Sequence, residues 1–120
     1  MTESLLLATF GALGAICRAL LEHRFATADP AVLPRGVLIA NLLGSLLIGA
    51  LHGWADLNAH YLLATGFIGA LTTWSSFSLG TARLLHHRRY RLAVINIVLN
   101  LGGGVLAALA GSVLGVIIFA

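Results

Sequence analysis

Four apolar stretches occupy most of this 120-residue chain, at residues 4–21, 36–54, 61–85 and 92–119. Each approaches or exceeds the roughly 20 apolar residues that carry a helix across a bilayer. The chain is 59% hydrophobic and 9% charged, which leaves too little polar surface to solvate a soluble domain of this size. The expected fold class is therefore an all-α membrane protein, a single unit of four transmembrane helices. The last two stretches are long enough to tilt or to contain a break. The first lacks a basic start and reads as a span rather than a cleavable leader.

The third stretch carries an anomaly. Gly69-Ala70-Leu71-Thr72-Thr73-Trp74-Ser75-Ser76-Phe77-Ser78 places five hydroxyls and two aromatics at membrane depth. A lipid-facing helix gains nothing from such a run. Polar or irregular backbone at that depth is tolerated where it is buried in protein or lines a cavity. A pathway or an ion site built around this segment is the expectation.

The chemistry available is narrow. Glu3, Glu22, Asp29 and Asp56 all lie at or near span ends, so no carboxylate sits deep in the membrane. Coupled transporters generally need an ionisable group there, and its absence points to a passive path. Cys17 stands alone inside the first span, which leaves no disulfide framework or metal cluster. No nucleotide fingerprint, zinc spacing or nucleophile–base pair is present, so an enzyme is not expected. Hydroxyls, amides, N–H groups and the electropositive edges of aromatic rings remain. Such donors suit a small anion better than a cation.

Small residues recur at helical spacing. Gly11, Gly14, Ala15 and Arg18 share one face of the first span. Asn41, Gly44, Ser45, Ile48, Gly49 and His52 share one of the second. Asn96, Asn100, Gly103, Gly104, Ala107 and Gly111 mark the fourth. Close helix packing accounts for the glycines. The mid-span amides need polar partners.

All seven basic residues are arginines, and all lie at or near the first and third connections: Arg18, Arg24, Arg35, Arg83, Arg88, Arg89 and Arg91. In a four-span chain these connections share a side. The positive-inside rule puts that side in the cytoplasm and both termini outside. A multi-pass protein of the plasma membrane is expected.

These segments together resemble the Fluc/CrcB fluoride channels. Residues 11–18, Gly-Ala-Leu-Gly-Ala-Ile-Cys-Arg, are similar to that family's glycine-rich first-helix motif. Residues 36–45 are similar to its second-helix asparagine motif. Residues 66–78 are similar to its third-helix signature. Asn96 and Asn100 fall where its fourth helix carries polar residues. Three positions depart from the pattern. Trp74 replaces a usual phenylalanine, Gly80 a frequent acidic residue, and Gly104 an expected serine.

The resemblance implies an antiparallel dimer with two fluoride pores and a third helix broken at mid-membrane. It implies a structural sodium ion at the dimer centre, held by backbone carbonyls at the positions of Gly69 and Thr72. It implies pores lined by Asn41, Trp74 and Phe77, with Thr73, Ser75, Ser78, Asn96 and Asn100 along the track and Arg18 at a vestibule. The implied function is passive exit of fluoride from the cytoplasm. The partner is either an identical chain or a homologous one of opposite topology. A non-conducting partner subunit is the alternative. A small multidrug transporter would need a carboxylate where Gly14 and Ala15 stand.

Overall fold

A computed structural model describes residues 1–119 as six α-helices and one π-helical segment, with no strand among the described residues. Helix α1 spans Thr2–Arg24 and α2 spans Arg35–Ala50. The third span is composite: α3 (Leu57–Tyr61), a π-helical segment (Leu62–Ile68), α4 (Gly69–Leu71) and α5 (Trp74–His86). Helix α6 runs from Tyr90 to Phe119. Helix α1, the composite Leu57–His86 and α6 are long and apolar enough to cross a membrane. Helix α2 has 16 residues, about 24 Å of rise.

Helix α2 is shorter than the expected span of 36–54. Its end is set by a tight turn. His52 donates its main-chain N–H to Gly49 at 2.9 Å, Trp54 to Leu51 at 3.1 Å, and Gly53 takes φ +94°. The third span starts earlier than expected because Asp56 caps it, accepting from the N–H groups of Asn58 and Ala59 at 3.0 and 3.1 Å. The third connection shrinks to residues 87–89. Arg89 N–H reaches the Leu84 carbonyl at 2.8 Å and Arg88 N–H that of Leu85 at 3.0 Å, with Arg88 at φ 58°. This is the paired closure that usually places glycine where Arg88 stands.

Glycine sets the packing. Where α2 meets α6, a Cβ on Gly49 would strike the main chain of Ala108, and one on Gly111 that of Leu46 and Ala50. Where α1 meets the π-helical segment, a Cβ on Gly14 would strike the main chain of Phe67. Backbones this close gain dispersion contacts that larger side chains would hold apart. The centre is small and partly polar, with Ala40, Leu84, Ala93 and Asn96 almost without exposure. Large apolar side chains cover the outside, among them Val105, Leu106 and Ile117. A water-soluble protein avoids such a surface, whereas hydrocarbon solvates it.

The ends of the bundle differ. Arg35 and Arg83 line one cleft together with Glu22, at the end that holds the first connection. At the other end Trp54 stacks on Phe119 with ring centroids 5.5 Å apart.

Candidate functional site

The third span breaks within the hydroxyl run, as the family resemblance implies. Thr72 and Thr73 are extended, at φ −80°, ψ 155° and φ −151°, ψ 120°. Thr72 closes the turn before the break, donating both its N–H and its hydroxyl to the Ile68 carbonyl at 3.0 and 3.1 Å. Thr73 opens the next helix, its hydroxyl accepting from Ser76 N–H at 3.1 Å. Its hydroxyl also lies 3.2 Å from that of Ser75.

A residue 32 positions away holds the break open. Asn41 Oδ1 accepts the Thr73 N–H at 2.8 Å, and Asn41 Nδ2 donates to the Thr73 carbonyl at 3.1 Å. In a continuous helix that N–H would go to Gly69. The amide on α2 thus replaces the helical bond at the point where it is lost.

From Asn41 a polar relay runs through the centre of the subunit. Asn41 Nδ2 donates to Asn100 Oδ1 at 2.9 Å. Asn100 Nδ2 donates to the carbonyl of Asn96 at 2.9 Å and to its Oδ1 at 3.0 Å. Asn96 Nδ2 donates to Thr81 Oγ1 at 3.0 Å, and Thr81 passes its proton to the Phe77 carbonyl at 2.9 Å. The relay ties α2, α5 and α6. Among the described residues no buried side-chain polar atom lacks a partner. A network satisfied in this way is rigid, because breaking one link strands a polar group in low dielectric.

Beside the break lies a cavity of about 310 Å³. Six residues expected at the site line it: Asn41, Thr72, Thr73, Trp74, Phe77 and Asn100. Ser45 and Leu101 complete the wall. No charged side chain does. Phe77 is 6% exposed, while Trp74 leans on it at 5.1 Å between centroids and is 70% exposed. The mouth therefore opens on the outer surface of the chain.

The remaining expected residues sit apart from this wall. Ser75 and Ser78 are exposed on α5. Asn96 is wholly buried and reaches the cavity only through Asn100. Gly69 is exposed, and a Cβ there would meet nothing nearer than the Ala64 carbonyl at 3.5 Å. Arg18 is part-exposed on α1, with Nε 3.8 Å from Glu22 Oε1. No cluster of three histidine, cysteine or acidic residues occurs among the described residues. Any cation at the break would therefore find neutral oxygens.

Ser45 and Thr81 were absent from the expected site. Helical spacing carries a signal for both. Ser45 stands four residues after Asn41, and Thr81 four after Phe77, so each shares a face with a residue already singled out.

Residues 5–112 match the family described as CrcB-like protein, Camphor Resistance (CrcB). Over 117 residues the chain is 42% identical to the fluoride-specific ion channel FluC of Leptospira interrogans serovar copenhageni, covering 92% of each chain. Over 107 residues it is 40% identical to the protein of that name from Salmonella arizonae, covering 82% of this chain and 84% of the relative. With a family match across nearly its full length and relatives at this identity and coverage, the chain is a membrane protein that belongs to the CrcB family.

Proposed function

We propose that this chain is a subunit of a passive, fluoride-selective ion channel through which fluoride leaves the cytoplasm. One observation carries the reading. A cavity walled by amides, hydroxyls and two aromatic rings, with no carboxylate, lies beside a broken membrane helix. A wall without carboxylates carries no net negative charge to exclude an anion. Ring edges on Phe77 and Trp74 offer weak positive potential to an anion that has shed part of its water. The relatives' names supply the ion. Bare chloride is larger than fluoride and a weaker hydrogen-bond acceptor, so it gains less from the same wall.

The cavity mouth and the exposed Gly69 favour assembly as an antiparallel dimer. A second subunit would close the open side and bring two breaks together. The main-chain oxygens of Gly69 and Thr72 fit a structural sodium ion at that centre. Thr73 N–H is diverted to Asn41, so the Gly69 carbonyl is free of its helical donor. Neutral oxygens at the C-terminal end of a helix turn suit a hard cation. When bound, such an ion would supply the positive charge that holds two facing breaks in register.

A partner subunit of a heterodimer is the second reading. It is favoured by the concentration of all seven arginines toward one end of the bundle. Fluoride efflux from liposomes separates the two. The chain alone should release fluoride and retain chloride if it conducts as a homodimer. Equal fluxes of the two anions would refute a fluoride channel. Flux only after a second homologous chain is added supports the partner reading.

A further inference from the structure

Hydroxyls on membrane helices commonly give their proton to the carbonyl one turn back. Thr9, Thr72, Thr81 and Ser112 all do so, at 2.8 to 3.1 Å. Ser45 does not. It is half-buried in the middle of α2, lines the cavity, and makes no hydrogen bond to the described residues. Its Oγ is reached from the cavity rather than sealed without a partner.

Of the other cavity-lining side chains, both amides and the Thr72 hydroxyl have donors engaged elsewhere. Asn41 gives its two to Thr73 O and Asn100 Oδ1. Asn100 gives its two to Asn96. Thr72 donates its hydroxyl to the Ile68 carbonyl, and the Thr73 hydroxyl accepts from Ser76 N–H and shares one hydrogen bond with the Ser75 hydroxyl. These amides have only oxygen lone pairs left, which an anion avoids. The Trp74 indole is free but belongs to a side chain 70% exposed at the mouth. Across from Ser45 stands Gly104 of α6, where a Cβ would lie 3.4 Å from Ser45 Oγ.

We propose that Ser45 is an anion-binding residue of this channel, its O–H the inward donor to a small, hard, partly dehydrated anion such as fluoride. The assignment rests on the part of the proposed function that makes the cavity an anion site. It makes Asn41 a positioning residue, which acts on the anion through the backbone of the break.

Tryptophan fluorescence tests it. The chain has two tryptophans, so Trp54→Phe leaves Trp74 as a single reporter at the cavity. Sodium fluoride and sodium chloride are titrated into the purified channel in this background, assembled with its partner where one is required. Fluoride should shift the Trp74 emission. Ser45→Ala should raise the midpoint about tenfold, the scale of a hydrogen bond to a charged partner, and slow liposome efflux by a similar factor. Ser45→Thr should restore both, and the melting temperature should be the same in all three. An unchanged midpoint in folded Ser45→Ala overturns the proposal. So does a wild-type emission that ignores fluoride or answers chloride equally. An emission that follows fluoride in a protein passing none through liposomes refutes the channel and leaves the Ser45 assignment standing.

Discussion

Asn41 and Thr73 are joined twice: the Asn41 amide accepts the Thr73 N–H at 2.8 Å and donates to the Thr73 carbonyl at 3.1 Å. One side chain thereby completes both main-chain groups of a residue that has left the helix. The third span can break at membrane depth because this partner exists. Unpaired main-chain groups in hydrocarbon cost several kcal/mol each.

Replacing Asn41 should therefore act first on stability. Asn41→Leu strands the Thr73 N–H and carbonyl together with Asn100 Oδ1. A loss of at least about 3 kcal/mol is expected, since each of the three groups left unpaired costs on the order of 1–3 kcal/mol. Asn41→Asp keeps the acceptor for Thr73 N–H and should fall between. Thermal unfolding in detergent reads both. A variant that melts like the wild type while losing flux would show that Asn41 serves the anion directly and not the break.

The glycines make a paired prediction. A side chain at Gly111 has nowhere to go, because its Cβ would enter the main chain of Leu46 and Ala50. Gly111→Leu should prevent α2 and α6 from closing and abolish the folded subunit. Gly102 has nothing within 4 Å of a built Cβ. Gly102→Ala should be neutral or stabilising by up to about 1 kcal/mol through helix propensity. Size-exclusion profiles and melting temperatures check the pair, and similar damage from both would contradict the packing.

The proposed dimer places Gly69 at its centre and outside the packing of a single chain. Within one chain a Cβ here is in ordinary contact with Ala64 at 3.5 Å. Gly69→Val should leave helix content intact yet weaken the dimer at least tenfold, since the residue lies on the exposed side of the break where a second break would cross. Crosslinking at graded protein-to-lipid ratios measures this. Wild-type dimer affinity in Gly69→Val would remove Gly69 from the dimer centre.

Much of this was legible in the sequence, and the exceptions share a cause. Hydropathy marks the spans, and the run from Thr72 to Ser78 marks a polar segment at membrane depth, because both are local; the break itself follows from the family resemblance. The Asn41–Thr73 pair is 32 residues apart, and no local rule links them. The π-helical turn of Leu62–Ile68 gives no propensity signal; it lies where Gly14 lets α1 press on the Phe67 backbone. The sharp turn at Arg88 was hidden because glycine is the expected residue there. Ser45 could be placed on the Asn41 face by spacing, but only the hydrogen-bond geometry reveals that its proton is uncommitted.

Charge supplies the last prediction. The first connection and the end of α5 lie together, since Arg35 and Arg83 line one cleft, while Trp54 and Phe119 stack at the opposite end. The seven arginines thus cluster toward one end, and none lies near the termini or the second connection. An antiparallel pair of identical chains needs one sequence to insert both ways. That requires a balanced distribution, because basic residues resist transfer to the outer side. This chain should insert in essentially one orientation, with both termini outside. An antiparallel channel in cells would then need a homologous chain of reversed bias. Paired reporters fused to the C-terminus, one active inside and one outside, decide the matter. Activity from the outside reporter alone is expected, whereas comparable signals from both would establish dual topology and restore the homodimer.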